Sequence, residues 1–237
     1  MPGWYKGYLG LINSEIGNDW DILNNFSLSE MNNNKKLDCF IQLYPIELTL
    51  DDDVPLVSGI VFYEYLRKTK SIIKDRDKMR VIQDKEVIDT AWSNFWFTTK
   101  SYIIVESKHA RLRLFKLIRK ALSLNERDII PVGLNLEDIF NDYPSQWLGG
   151  FRDRQGHIHA GSLYGEDIIN DPEVGDAYIR TRHKNQVGFL TDYFGPEVKI
   201  RVTNEGFIQV YGNFDNNTNE IFQFIRDELS QYIQDLA

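Results

Sequence analysis

Phe95-Trp96-Phe97-Thr98-Thr99-Lys100-Ser101-Tyr102-Ile103-Ile104-Val105 is followed by a polar break and an amphipathic stretch over residues 110–122. Val198-Lys199-Ile200-Arg201-Val202-Thr203-Asn204-Glu205-Gly206-Phe207-Ile208-Gln209-Val210-Tyr211 repeats the scheme, breaks over 212–217, and continues at helical spacing through 218–232. Residues 97–105 lie over 202–210 without a gap. Alternating apolar positions on both sides of a short polar insert mark a hairpin, and Asn204-Glu205-Gly206 supplies a residue that tolerates positive φ. Thr99-Lys100-Ser101 holds the equivalent place with poorer turn chemistry. Each unit reads as strand, tight turn, strand and helix, and such internal repetition points to the architecture before any single residue does.

Working outward, β-rich segments precede each hairpin: 39–50, 56–66 and 78–88 before the first, 146–152, 157–163 and 186–192 before the second. In the first helix Leu114, Phe115, Ile118, Ala121 and Leu122 share one side, while His109, Arg113, Lys116 and Lys120 follow another. In the second, Ile221, Phe222, Ile225, Leu229, Tyr232 and Ile233 do the burying, and Glu220, Asp227 and Glu228 face away. The expected fold is α+β, with two tandem similar halves, each an antiparallel multi-strand sheet ending in a β-hairpin plus one C-terminal helix, the helices on one face. The divisions are an N-terminal helical segment (1–37), a first, basic half (38–124), a linker (125–145) and a second, acidic half (146–237). Within 1–37, Ser14, Ser27 and Ser29 are candidate caps and Asn32-Asn33-Asn34-Lys35-Lys36 a break; within the linker, Asn135-Leu136-Glu137-Asp138 can open a short helix. In element order this scheme resembles the TATA-binding-protein saddle, a fold also found in some kinetochore subunits. The resemblance implies an architecture and leaves function to the site.

The 237 residues carry a net charge of −8, unevenly spread. Residues 1–66 hold 3 Lys/Arg against 10 Asp/Glu, residues 67–120 hold 15 against 6, and residues 121–237 hold 9 against 19. A strongly positive segment inside an acidic chain meets a polyanion, an acidic partner subunit, or the chain's own carboxylates. The candidate contacts are Arg67, Lys68, Lys70, Arg76, Lys78 and Arg80 in one run and Lys108, Arg111, Arg113, Lys116 and Lys120 on the first helix. Trp96 is the candidate stacking ring, because aromatics interleaved with cations suit single-stranded nucleic acid. The principal expectation is a non-catalytic cytoplasmic binding protein without a cofactor, whose partner is nucleic acid or an acidic protein. No run approaches the roughly 20 apolar residues of a membrane-spanning helix, the start lacks the features of a signal peptide, and Cys39 is the single cysteine.

Two other classes compete. Asp89, with Glu106-Ser107-Lys108 seventeen residues on, resembles the D…(D/E)xK pattern of metal-dependent nucleases, which implies Mg²⁺ on the two carboxylates and a lysine steadying developing charge. His157 and His159, at strand spacing, point to one face and offer two ligands to a metal. Alternatively the chain is purely a protein-interaction subunit, its contact formed by the acidic half and a hairpin at 147–151. Neither a GxSxG elbow nor a phosphate-binding GxxxxGK[ST] loop is present.

Overall fold

The computed structural model describes residues 4–16, 19–45, 48–50, 54–75, 78–99, 101–152, 157–212 and 218–236, of which Trp4, Asp19, Leu48, 71–75 and 78–85 are described by backbone alone. In chain order the elements are β1 (Trp4–Ile12), a 3-10 turn (Asp19–Leu23), β2 (Ser27–Asn32), β3 (Lys35–Leu43), β4 (Leu48–Thr49), β5 (Pro55–Asp75), β6 (Lys78–Thr98), β7 (Ser101–Val105) and α1 (Lys108–Ala121). There follow β8 (Ile129–Leu134), α2 (Leu136–Asp142), β9 (Gln146–Phe151), β10 (Gly161–Tyr164), α3 (Gly175–Ile179), β11 (Lys184–Thr191), β12 (Val198–Thr203) and β13 (Phe207–Tyr211). The chain closes with α4 (Thr218–Phe224), a π-helical turn (Ile225–Leu229), a 3-10 turn (Ser230–Tyr232) and β14 (Ile233–Asp235). The result is an α+β fold that is mostly antiparallel sheet with few helices. Its strands run β10-β9-β11-β12-β13-β1-β7-β6-β5-β3-β2, with β8 bridging β1 to β14 and β4 on β5.

β1 lies in the middle of this sheet. Its first residues pair with β13 (Tyr5↔Val210) and its last with β7 (Leu9↔Ile104), so both hairpins belong to one continuous sheet. This overturns the helical reading of residues 1–37. Gly7 and Gly10 blur the alternation of β1, and Gly10 is needed there because a Cβ would sit 2.2 Å from the Phe115 ring. The Asn run is a hairpin turn joining β2 to β3: Asn33 and Asn34 take φ of 47° and 60°, a left-handed pair that a two-residue turn requires and asparagine tolerates. Residues 125–145 are likewise no linker, since β8 pairs with β1 and β14, and Asn135 caps α2 by accepting from the Glu137 and Asp138 N–H groups. The stretch 78–88 is not a strand of its own but the outer part of a 21-residue β6, paired with an equally long β5.

The helices pack on opposite faces, contrary to the single helical layer expected. Along β7, Ile103 and Val105 join Phe95, Phe97, Leu114 and Phe115 in one core. Ile104 points the other way, into a core with Leu9, Ile208, Val210, Phe222 and Leu229. Strand alternation thus sends α1 to one face and α4 to the other. Each helix covers only its own half, so each face has a covered part and an open part. The open parts are β3-β5-β6 on the α4 side and β1-β13-β12-β11 on the α1 side. Among the described residues no helix is long and apolar enough to cross a membrane.

Candidate polyanion-binding surfaces

The basic runs of the sequence fall on two different structures. In the first run β3 pairs with β5 only over 59–63, and the β2–β3 turn braces the hairpin slightly further out, where Lys35 Nζ donates to the Glu86 carbonyl (2.5 Å) and Asn33 to its carboxylate (3.2 Å). Beyond that, residues 68–75 and 78–86 form a two-stranded ribbon that projects about 25 Å at 3.3 Å per residue. A register shift after Ser71 adds a bulge, which increases local twist. Lys68 and Lys70 are exposed on it. Arg67 is also exposed but ion-pairs with Asp89 (2.9 Å). Arg76 lies outside the described residues, and Lys78 and Arg80 are placed by their backbones in β6.

The second run is largely consumed within the molecule. Arg111 is buried: its Nη1 donates to the carbonyls of Glu205 (3.0 Å) and Leu9 (3.3 Å), and its guanidinium lies over the Tyr8 ring. Burial lowers its pKa, opposed by the charge of Glu205. Lys108 pairs with Glu205 (2.5 Å) and Lys116 with Glu30. Arg113 stacks on Tyr63 and donates to the His109 carbonyl, leaving Lys120 as an exposed cation near the end of α1. The helix therefore uses its charge to fasten itself to β2 and to the β12–β13 turn.

The aromatic anchor also moves. Trp96 is half-buried, 5.4 Å from the Tyr5 ring and against the α4-side core. Trp92 instead is 60% exposed. The register aligns Phe40, Phe62 and Trp92 across three strands, with Phe40 and Phe62 stacked at 4.6 Å. Two-residue steps outward along the same face lead to Leu66 and Ile88, then to Lys68 and Glu86. Among the described residues of this row, Asp38 is engaged with Ser29 and Lys36, and Glu64 with the Asp38 N–H. A shallow groove bordered by Phe40, Phe62, Glu64 and Thr90 runs along it.

The nuclease residues are not brought together. Asp89 accepts from Arg67 and lies 3.5 Å from the Tyr65 hydroxyl, whereas Glu106 accepts from the Asn94 side chain (2.9 Å) and Lys108 turns to Glu205. Asp89 and Asn94 are five residues apart on β6, hence roughly 17 Å and on opposite faces. His157 and His159 are exposed and precede β10 outside any strand, so strand alternation does not align them. Among the described residues no three His, Cys, Asp or Glu side chains converge as a metal site. Residues 147–151 are buried in β9, between β10 and β11, and present no contact surface.

Sequence reasoning missed the open face on the α1 side. Lys6, Gln209 and Arg201 stand in one cross-strand row over β1, β13 and β12, with Lys199 one step along. Lys199 lies over the Trp147 ring and Arg201 over the Phe207 ring. The signal was present in the alternation of Val198-Lys199-Ile200-Arg201-Val202, but an acidic total for the segment hid it. Comparisons with protein-family models, curated proteins and solved structures find no match for this chain.

Proposed function

We propose that this is a non-catalytic, cytoplasmic binding protein whose β5–β6 ribbon contacts nucleic acid. The observation that carries the reading is the ribbon itself: it projects from an acidic molecule, exposes Lys68 and Lys70, and continues the face that bears Phe40, Phe62 and Trp92. Cations that follow phosphates beside rings that stack on bases fit a single strand better than a duplex. A two-stranded ribbon is also of a size that enters a duplex groove, so both substrates belong in the test. We also read the units 95–122 and 198–232 as divergent copies, supported by their gapless hairpin overlay and the places of their hairpins on either side of β1.

The test is fluorescence anisotropy with labelled single- and double-stranded DNA and RNA, at low and physiological salt, in Mg²⁺ and in EDTA. Binding should fall with salt and be indifferent to EDTA. The double reversal Lys68→Glu and Lys70→Glu should reduce the salt slope by about two, one per lost phosphate contact. Unchanged binding by that variant rejects the ribbon, and absence of binding at low salt redirects the search to an acidic protein partner.

A further inference from the structure

We infer a second anion site, separate from the ribbon, in which Arg201 and Arg152 take the phosphate of a nucleotide. The site is a concavity of about 440 Å³ on the open α1-side face, bordered by Tyr8, Arg152, Asn185, Arg201, Asn204 and Phe207. Two polar atoms of its lining residues are buried without a hydrogen-bond partner, Arg201 Nε and Asn185 Oδ1. A buried donor and a buried acceptor left unpaired on residues that line one hollow are costly to the fold, and a ligand carrying both an acceptor and a donor can satisfy them together. The acceptor facing Arg201 is defined by the guanidinium, whose Nε and Nη hydrogens form a planar fork matched to two oxygens of a phosphate. Packing over Phe207 fixes that plane.

Neighbouring charge favours the same ligand. Lys6 stands in the row of Arg201 with Lys199 one step along, and Asn204, with its amide oriented to match both ends, accepts from Arg152 Nη2 (3.1 Å) while donating to the Asn185 carbonyl (3.3 Å). Among the described residues Glu205 is the carboxylate at the rim, and it is turned to Lys108 at 2.5 Å. For Asn185 Oδ1 the donor is a hydroxyl, either of a protonated phosphate or of the attached sugar. Phosphate with an adjoining hydroxyl is supplied by a free nucleotide or by the terminus or backbone of an RNA strand, and the test separates these.

Isothermal titration of the full chain with AMP, and with a short single-stranded RNA, distinguishes the sources: AMP binding assigns a free nucleotide, and binding of the RNA but not AMP assigns a strand. Arg201→Gln, which keeps a polar side chain of similar reach, should weaken whichever ligand binds by tenfold or more. Lys68→Glu/Lys70→Glu should leave AMP affinity unchanged, so failure of the ribbon and failure of this pocket are told apart. If the RNA is the ligand, the comparison is made within that ribbon variant, so that only the pocket is read. Asn185→Asp, which adds negative charge at the hollow without touching Arg201, is expected to weaken binding by a similar factor and serves should Arg201→Gln fail to fold. Binding of neither probe at low salt, or undiminished binding by the folded variants, overturns the site.

Discussion

Cys39 shows how position in the sheet governs reactivity. Its thiol is buried on β3, and burial pushes its pKa up to about 12, with Arg113 opposing and Glu30 adding slightly. The thiolate is the nucleophile, so native protein at pH 8 should react slowly with a disulfide reagent and quickly after denaturation; rapid native labelling would contradict this burial. The two tryptophans of β6 make a paired prediction: Trp96→Ala should cost about 2 kcal/mol or more through lost packing, whereas Trp92→Ala should change stability by less than about 0.5 kcal/mol yet weaken nucleic-acid binding. Denaturant titration and anisotropy on the same samples check both. Asp128, like Asp38 and Asp227, adds a pH dependence to stability. Ser14 Oγ donates to its Oδ1 (2.5 Å) and the Asn125 N–H to its Oδ2 (2.6 Å), holding the carboxyl below its ordinary value. A depressed folded pKa contributes stability above the unfolded pKa and loses it as pH falls through the folded one. The difference in Tm between wild type and Asp128→Asn should therefore be present at pH 6 and close on acidification below the ordinary carboxylate range. The Ser14 partnership was not legible in the sequence, since Ser14 and Asp128 are 114 residues apart.

Elements were more readable where the chain explains itself locally. The hairpins at 95–105 and 198–211 and the helices that follow declare themselves by period and turn chemistry, and these strands and helices form. The β2–β3 hairpin escaped because Asn-Asn reads equally as a break and as a left-handed turn. The fate of α1's cations escaped for another reason: Lys108 finds Glu205 97 residues away, a pairing no local pattern encodes. The ribbon's stability follows from its topology, because beyond the reach of β3 it is two strands wide, and a two-stranded piece is marginal in water. Hydrogen exchange should thus be fast over 68–75 and 78–86 and slow over 56–63 and 95–98 of the same strands; equal protection would mean that something covers the ribbon.

At the scale of the whole molecule, one sheet carries two cores on opposite faces, and β1 contributes Leu9 to one and Ile12 to the other. Both cores should melt together, giving coincident transitions by far-UV circular dichroism and tryptophan fluorescence; two separated transitions would mean that the cores unfold independently. Gly206 lies at the junction, with φ +75° and no room for a Cβ, which would sit 2.1 Å from the Val132 carbonyl oxygen. Its N–H donates to Thr203 and its carbonyl accepts from Leu9, so Gly206→Ala should lower stability by about 2 kcal/mol or more. The central place of β1 also has a consequence for synthesis. The ribosome makes this strand before its partners: β7 ends at Val105, and β13 ends only at Tyr211. At about 5–20 residues per second, the Trp4–Tyr8 stretch of β1 waits for β13 for roughly 5–20 s after β7 is made, while β8 takes the Gly10–Ile12 part of the same edge. An unpaired edge is a template for foreign strands, so the nascent chain passes through a window in which a chaperone, or slow misassembly with a neighbouring chain, competes for the position that β13 will take.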